Sequence, residues 1–265
     1  MGYTATRLAD VLRGQGWQVT GTKRMSGGDV VAFDDRHAVL AALDSATHIL
    51  SSVPPLAEGG DSVLTAYGDA IAANSAGWIG YLSSTGVYGD TKGAWVDESA
   101  PVGQGRRTAR ADADIAWQEL RHDVRIFRLP GIYGPGRSAF DRVRQDKAHR
   151  IDLPDQIFSR IHVDDIVSAV VASLCGPAGV YNIADDRPAS QNAVIEHACG
   201  LMGREWPPLQ SVDEAGLSPM ARAFYAENRR VSNRKAKRLL NWQPTYSDYK
   251  QGLAAISVTE GKRSD

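Results

Sequence analysis

The sequence has no apolar run approaching the roughly 20 residues that a bilayer-spanning helix needs. It also has no basic N-terminal segment leading into an apolar stretch, so no signal peptide is expected. Cysteine is scarce. Cys175 and Cys199 fall in helix-like patterns without metal-ligand spacing. No metal site is expected, and both read as reduced thiols of a cytoplasmic protein. An excess of either charge is missing too: 30 Lys and Arg stand against 31 Asp and Glu, a formal net charge of −1. That balance argues against broad electrostatic capture of nucleic acid or of an anionic membrane. The basic stretch from Asn228 to Arg238 follows Glu227 and is broken by apolar residues, so it reads as a solvated face. The expected partner is a small-molecule substrate, and a homodimer is compatible with this class of chain. There is no internal repeat and no low-complexity segment.

What is present is an alternation of short apolar runs with helical periodicity, the mark of an α/β fold with a parallel sheet between helices. The chain has 265 residues, 43% of them hydrophobic, enough for one large domain with an appendage. Ala5, Leu8, Ala9 and Leu12 recur on one helical face, and Gly14 and Gly16 close that helix. Strands are expected at Trp17 to Thr20, Val30 to Phe33, His48 to Val53, Trp78 to Leu82, Val124 to Leu129 and Val180 to Ile183. Helices are expected around Val63 to Ile71, Ala109 to Leu120 and Ile166 to Leu174. Residues 1–135 and 161–186 then form a Rossmann-type, doubly wound dinucleotide-binding domain. Residues 136–160 and 187–265, with short helices and Trp206-Pro207-Pro208, form a small substrate-binding lobe.

The opening residues read as part of a dinucleotide motif. Such a site runs strand, then G-x-G-x-x-G/A, then helix; the second glycine admits the pyrophosphate and the third small residue packs helix on strand. Gly2 and Ala5 fit those two positions, with Tyr3 and Thr4 between them. The first glycine and the first strand of the motif are lacking, so an upstream start is the expectation. The next strand ends Gly21-Thr22-Lys23-Arg24, with no acid to hold a ribose 2′-hydroxyl. Thr22, Lys23 and Arg24 therefore suit a 2′-phosphate, and NADP is preferred to NAD. Val53 and Pro54 at the end of the third strand, and Pro130 after the fifth, complete the expected cofactor contacts.

From Tyr81-Leu82-Ser83-Ser84-Thr85-Gly86-Val87-Tyr88-Gly89 onward the chain resembles the extended short-chain dehydrogenase/reductase family, the NAD-dependent epimerase/dehydratase-like group. Further segments match in family order. They are Asp97 to Pro101, Phe127 to Arg137, Arg160 to Ile166, Tyr181 to Asp186, and Leu239-Leu240-Asn241-Trp242-Gln243-Pro244. The resemblance implies a Ser that holds the substrate, a Tyr that exchanges a proton, and a Lys four residues later that acidifies the Tyr and binds ribose. A phenol with its ordinary pKa near 10 needs such a cation to work near neutrality.

Ser84 takes the Ser position. The Tyr and Lys positions fall on Arg106 and Arg110. Arginine does not give up its proton in this range, so Arg106 is no general acid, whereas Arg110 can still bind a ribose or phosphate. A second Y-x-x-x-K, Tyr88 to Lys92, lies in a glycine-containing loop and not on a helix. Tyr88 alone is the candidate proton donor, ahead of Tyr133, and His162 reads as structural, beside a helix capped by Asp164 or Asp165. The catalytic set expected is Ser84, Tyr88 and Arg110. The chain then reads as an NAD(P)-dependent oxidoreductase or epimerase/dehydratase-like enzyme for a small carbonyl or sugar-type substrate. The other reading is a non-catalytic dinucleotide-binding redox sensor or scaffold.

Overall fold

The computed structural model describes residues 1–25, 27–103 and 108–261. The chain opens with helix α1 (Tyr3–Gly14), then runs through strands β1 (Gly21–Lys23) and β2 (Val30–Ala32), helix α2 (Arg36–Asp44) and strand β3 (His48–Ser51). Helix α3 (Ser62–Ala72), strand β4 (Trp78–Ser84), the 3-10 turn Thr85–Tyr88, strand β5 (Trp95–Val96), helix α4 (Thr108–Leu120) and strand β6 (Val124–Leu129) follow. Then come β7 (Gly131–Tyr133), α5 (Ala139–Arg144), β8 (Arg150–Ile151), β9 (Arg160–His162), α6 (Val163–Ala172) and β10 (Gly179–Asn182). The last part holds α7 (Gln191–Met202), β11 (Leu209–Gln210), α8 (Pro219–Tyr225), β12 (Arg230–Val231), α9 (Arg234–Leu239) and α10 (Tyr249–Gly261).

This is the expected Rossmann-type α/β architecture, with every ladder between named strands parallel. The main sheet has the order β10-β6-β4-β3, and β1 pairs with β2 in a separate two-stranded sheet. Among the described residues no strand joins β1 to β3. The strand expected at Trp17 to Thr20 is instead a connection, and pairing starts at Gly21, opposite Val30. Residues 17–20 precede the first register position of β2 and have no ladder partner among the described residues. Their apolar member packs elsewhere: the Trp17 ring meets His48 edge-on, 4.7 Å between centroids.

Strand alternation divides the core. Trp78 and Leu82 face one side with Leu8, Phe127, Leu129, Ile166 and Val170. Ile79 and Tyr81 face the other with Tyr67, Ile71, Trp117 and Ile126. Each such side chain, fully buried, contributes about 1.5–3 kcal/mol. Gly80 is required by the first cluster, because a Cβ there would overlap the Trp78 ring and approach Leu50. A further cluster, with Phe140, Val143, Ile195, Leu253 and Ile256, gathers α5, α7 and α10.

Candidate functional site

The N-terminus of α1 meets β1 and the loop after β7. Gly2 is the N-cap of α1, and no side chain bonds the first-turn N–H groups there. Such a terminus attracts an anion through its free donors and its dipole. The Met1 amino group donates to the Thr22 carbonyl, which sets this terminus against β1. The Tyr3 hydroxyl donates to the Pro135 carbonyl at 3.0 Å, and Arg7 grips Asp164 with bonds of 2.6 and 3.0 Å. Together these bonds dock α1 on the loop after β7 and on the start of α6. The Tyr3 side chain is thus engaged with protein, while Thr4 and Ala5 continue the first turn.

Thr22 and Lys23 lie within β1, with Arg24 just beyond; both cations are exposed. Lys23 is therefore the last residue of the strand, at the strand end where the sequence places it. Val53 and Pro54 follow β3, and Pro130 separates β6 from β7. All of these belong to the carboxyl ends of parallel strands, the edge on which open α/β sheets bind ligands.

Ser84 ends β4 and is half-buried; its Oγ accepts the Gly86 N–H at 3.1 Å, capping the 3-10 turn. Arg110 stands in the first turn of α4, near enough to Tyr81 to oppose the rise in phenol pKa that burial causes there. Arg106 lies outside the described residues.

Tyr88 points inward. It is 2% exposed, its hydroxyl donates to Asn182 Oδ1 at 2.8 Å, and it accepts from Arg128 Nη1 at 3.0 Å. Burial raises its pKa, against the nearby Arg128, which lowers it. A proton leaving Tyr88 would have to break an interior network. Tyr133 is likewise buried, with a pKa raised by that burial. The segment Tyr88 to Lys92 forms a turn and loop, with Asp90 accepting the Lys92 N–H at 3.0 Å.

His162 is structural, as expected, but the helix cap differs. His162 itself is the N-cap of α6, its Nδ1 accepting the Asp164 N–H at 3.2 Å. Asp165 instead accepts the Thr245 and Tyr246 N–H groups, at 2.6 and 3.1 Å. Burial holds the His162 imidazole below its ordinary pKa, so it is neutral at pH 7.

The sequence reading missed the group behind Ser84. Ser83 donates to Asp114 Oδ2 at 2.5 Å, and Asp114 is bonded twice by Arg128, which in turn reaches Tyr88. Asp114 follows Arg110 by one helical turn on α4. Arg128 among the apolar residues of β6 was the available signal, since a buried charge demands a partner.

No family model matches the chain. A functionally unknown conserved protein from Silicibacter pomeroyi DSS is 41% identical over 98% of this chain and 96% of its own, with a TM-score of 0.88. Protein YeeZ of Escherichia coli (strain K12) is 28% identical over 82% of this chain and 86% of its own. Two more distant structures share the fold. The human epimerase family protein SDR39U1, solved with NADPH, has a TM-score of 0.76 at 17% identity, covering 97% of this chain and 96% of its own. The UDP-glucose 4-epimerase of Thermotoga maritima, solved with UDP-glucose, has 0.74 at 14%, covering 100% and 97%.

Proposed function

Since the chain belongs to one family with the conserved Silicibacter pomeroyi protein, whose function is unknown, its own cleft has to carry the argument, and we propose that it holds a nicotinamide dinucleotide, NADP(H) in preference to NAD(H). One observation carries this reading: the uncapped N-terminus of α1 lies against β1, which ends in Lys23 with Arg24 just beyond. The pyrophosphate would rest on the first turn of α1, and a 2′-phosphate would meet the two cations. Val53, Pro54 and Pro130 would border the rest of the cofactor. The human SDR39U1 structure holds NADPH on the same fold, which supports the class of ligand.

The cofactor would supply or accept a hydride. The chain's part is to bind it, to orient a small carbonyl or sugar-type substrate against Ser84, and to place the Arg110 cation close by. With the Tyr88 hydroxyl engaged by Asn182 and Arg128, the proton would come from water or from the substrate itself. The same interior bonds favour a second reading, a dinucleotide-binding protein without turnover.

Titration of NADPH and NADH against intrinsic tryptophan fluorescence tests the proposal. NADPH should bind roughly tenfold tighter or more, since one charge-assisted hydrogen bond contributes about 1.5–3 kcal/mol. Lys23→Ala with Arg24→Ala should erase the difference. Equal affinities in the unsubstituted protein would overturn the preference, and no binding of either would overturn the reading.

A further inference from the structure

A cavity of about 1260 Å³ lies beside β10, the edge strand of the main sheet, between the loop after β5 and helix α9. No residue placed at the cleft above lines it. Its α9 wall carries Arg234, Lys235 and Arg238, none of which forms an ion pair among the described residues. Lys237, by contrast, closes on Asp186 at 2.6 Å. Lys235 is half-buried, its Nζ held 5.4 Å from the centre of the Tyr181 ring. A cation held over an aromatic face with no carboxylate partner is a ready receptor for an anion.

The lining from the segment after β5 differs in chemistry. It presents Asp97 and Glu98. Hydrogen bonds from the Ser99 hydroxyl and N–H hold the Asp97 carboxyl below its ordinary pKa, so it is ionised at pH 7. Glu98 accepts the Asn182 N–H through Oε1 at 2.7 Å, which fixes the carboxyl against the strand edge. Lys235 acts on both carboxyls through space without pairing with either. Trp95 also lines the cavity, with 59% of its surface exposed.

We propose that this cavity is a second ligand site, built for a phosphorylated sugar. The phosphate would bind Arg234, Lys235 and Arg238, sugar hydroxyls would donate to Asp97 and Glu98, and the ring face would lie on Trp95. A cavity lined by cations from α9 and by carboxyls from the segment after β5 disfavours a bare anion and favours a ligand that carries a phosphate at one end and donors at the other. The proposal is independent of the dinucleotide reading, because the two sites share no residue.

The test is calorimetric titration of the full chain with ribose 5-phosphate, inorganic phosphate and ribose. Ribose 5-phosphate should bind, phosphate more weakly, and ribose without measurable heat. Lys235→Ala should weaken ribose 5-phosphate roughly tenfold or more. Arg238→Ala, at an exposed position, should act in the same direction and serves where loss of Lys235 unsettles Tyr181. Trp95→Ala should weaken the sugar phosphate and leave inorganic phosphate unchanged. NADPH should not displace ribose 5-phosphate, and NADPH affinity should survive all three substitutions. Absence of ribose 5-phosphate binding, its displacement by NADPH, or unchanged affinity in both the Lys235 and Arg238 variants would each overturn the proposal.

Discussion

The Arg128 guanidinium holds both oxygens of the Asp114 carboxylate, at 2.7 and 3.1 Å, with side chains 3% and 0% exposed. The pair ties α4 to β6 beneath the strand ends, and through Ser83 and Tyr88 it reaches β4 and β10. Breaking a buried pair by removing one partner leaves an uncompensated charge and costs about 3–5 kcal/mol.

Asp114→Asn and Arg128→Met should therefore each lower stability by about 3–5 kcal/mol. The double variant should lose less than the sum of the two, because neither charge is then stranded. Urea denaturation of the four proteins gives the coupling energy. Strict additivity would mean that the pair contributes no coupling.

Ser84 and Tyr88 should separate by phenotype. Ser84→Ala should leave the fold intact, because its one bond caps a short turn, and should lower turnover of any carbonyl or sugar substrate about 10²-fold or more. Tyr88→Phe should instead cost about 1–3 kcal/mol of stability, stranding Asn182 Oδ1 and an Arg128 N–H, and leave the pH–rate profile unshifted. Loss of the basic or acidic limb of that profile in Tyr88→Phe would return the proton to Tyr88.

Asp185 should make the protein less stable as pH rises. It is 2% exposed, its Oδ2 has no hydrogen-bond partner among the described residues, and burial pushes its pKa up to about 8. The folded pKa lies above the unfolded value near 3.9, so the protonated form favours folding. That contribution is complete below about pH 4 and is lost as pH climbs through 8. Asp185→Asn keeps an oxygen for the Arg187 N–H and should stabilise the protein at pH 8 by about 1–3 kcal/mol. It should also flatten the melting temperature between pH 5 and 8. A variant less stable than the parent at pH 8 would show that the carboxylate is satisfied.

Gly80→Ala should destabilise by about 1–3 kcal/mol, the usual cost of forcing a methyl into a filled core. The added carbon would meet the Trp78 ring and Leu50, both packed inside the sheet. Thermal denaturation followed by tryptophan fluorescence reads it, and an unchanged midpoint would mean that Trp78 has another rotamer open.

The sheet and its order of elements were legible because apolar periodicity depends on neighbours in sequence. Val124–Leu129 is the strand that its β-branched and aromatic run announces, and the helix read from Ala109 starts one residue earlier, at Thr108. Trp17 to Thr20 misled because an alternating tetrapeptide looks like a strand whether or not a partner lies alongside. The place of Ser84 at the end of β4 was readable from Ser83-Ser84-Thr85-Gly86. The inward turn of Tyr88 was not, since it depends on Arg128 and Asn182, 40 and 94 residues away in sequence. The cap of α6 was missed for a simpler reason: Asp is the commoner N-cap, and His162 does that work through Nδ1.

The break between β1 and β3 divides the molecule mechanically. Lys23 and Arg24 ride on a two-stranded ribbon, whereas Ser84 and Pro130 belong to a four-stranded sheet with no hydrogen-bond ladder to that ribbon among the described residues. A pair of strands held by its own ladder is marginal in isolation and opens at lower free energy than the core beside it. Amide protons of Thr22 and Val31 should then exchange with solvent well before those of Ile79 and Ile126. A ligand long enough to touch both pieces would act as a tie-bar, and the slowing of exchange in the ribbon alone would report its grip.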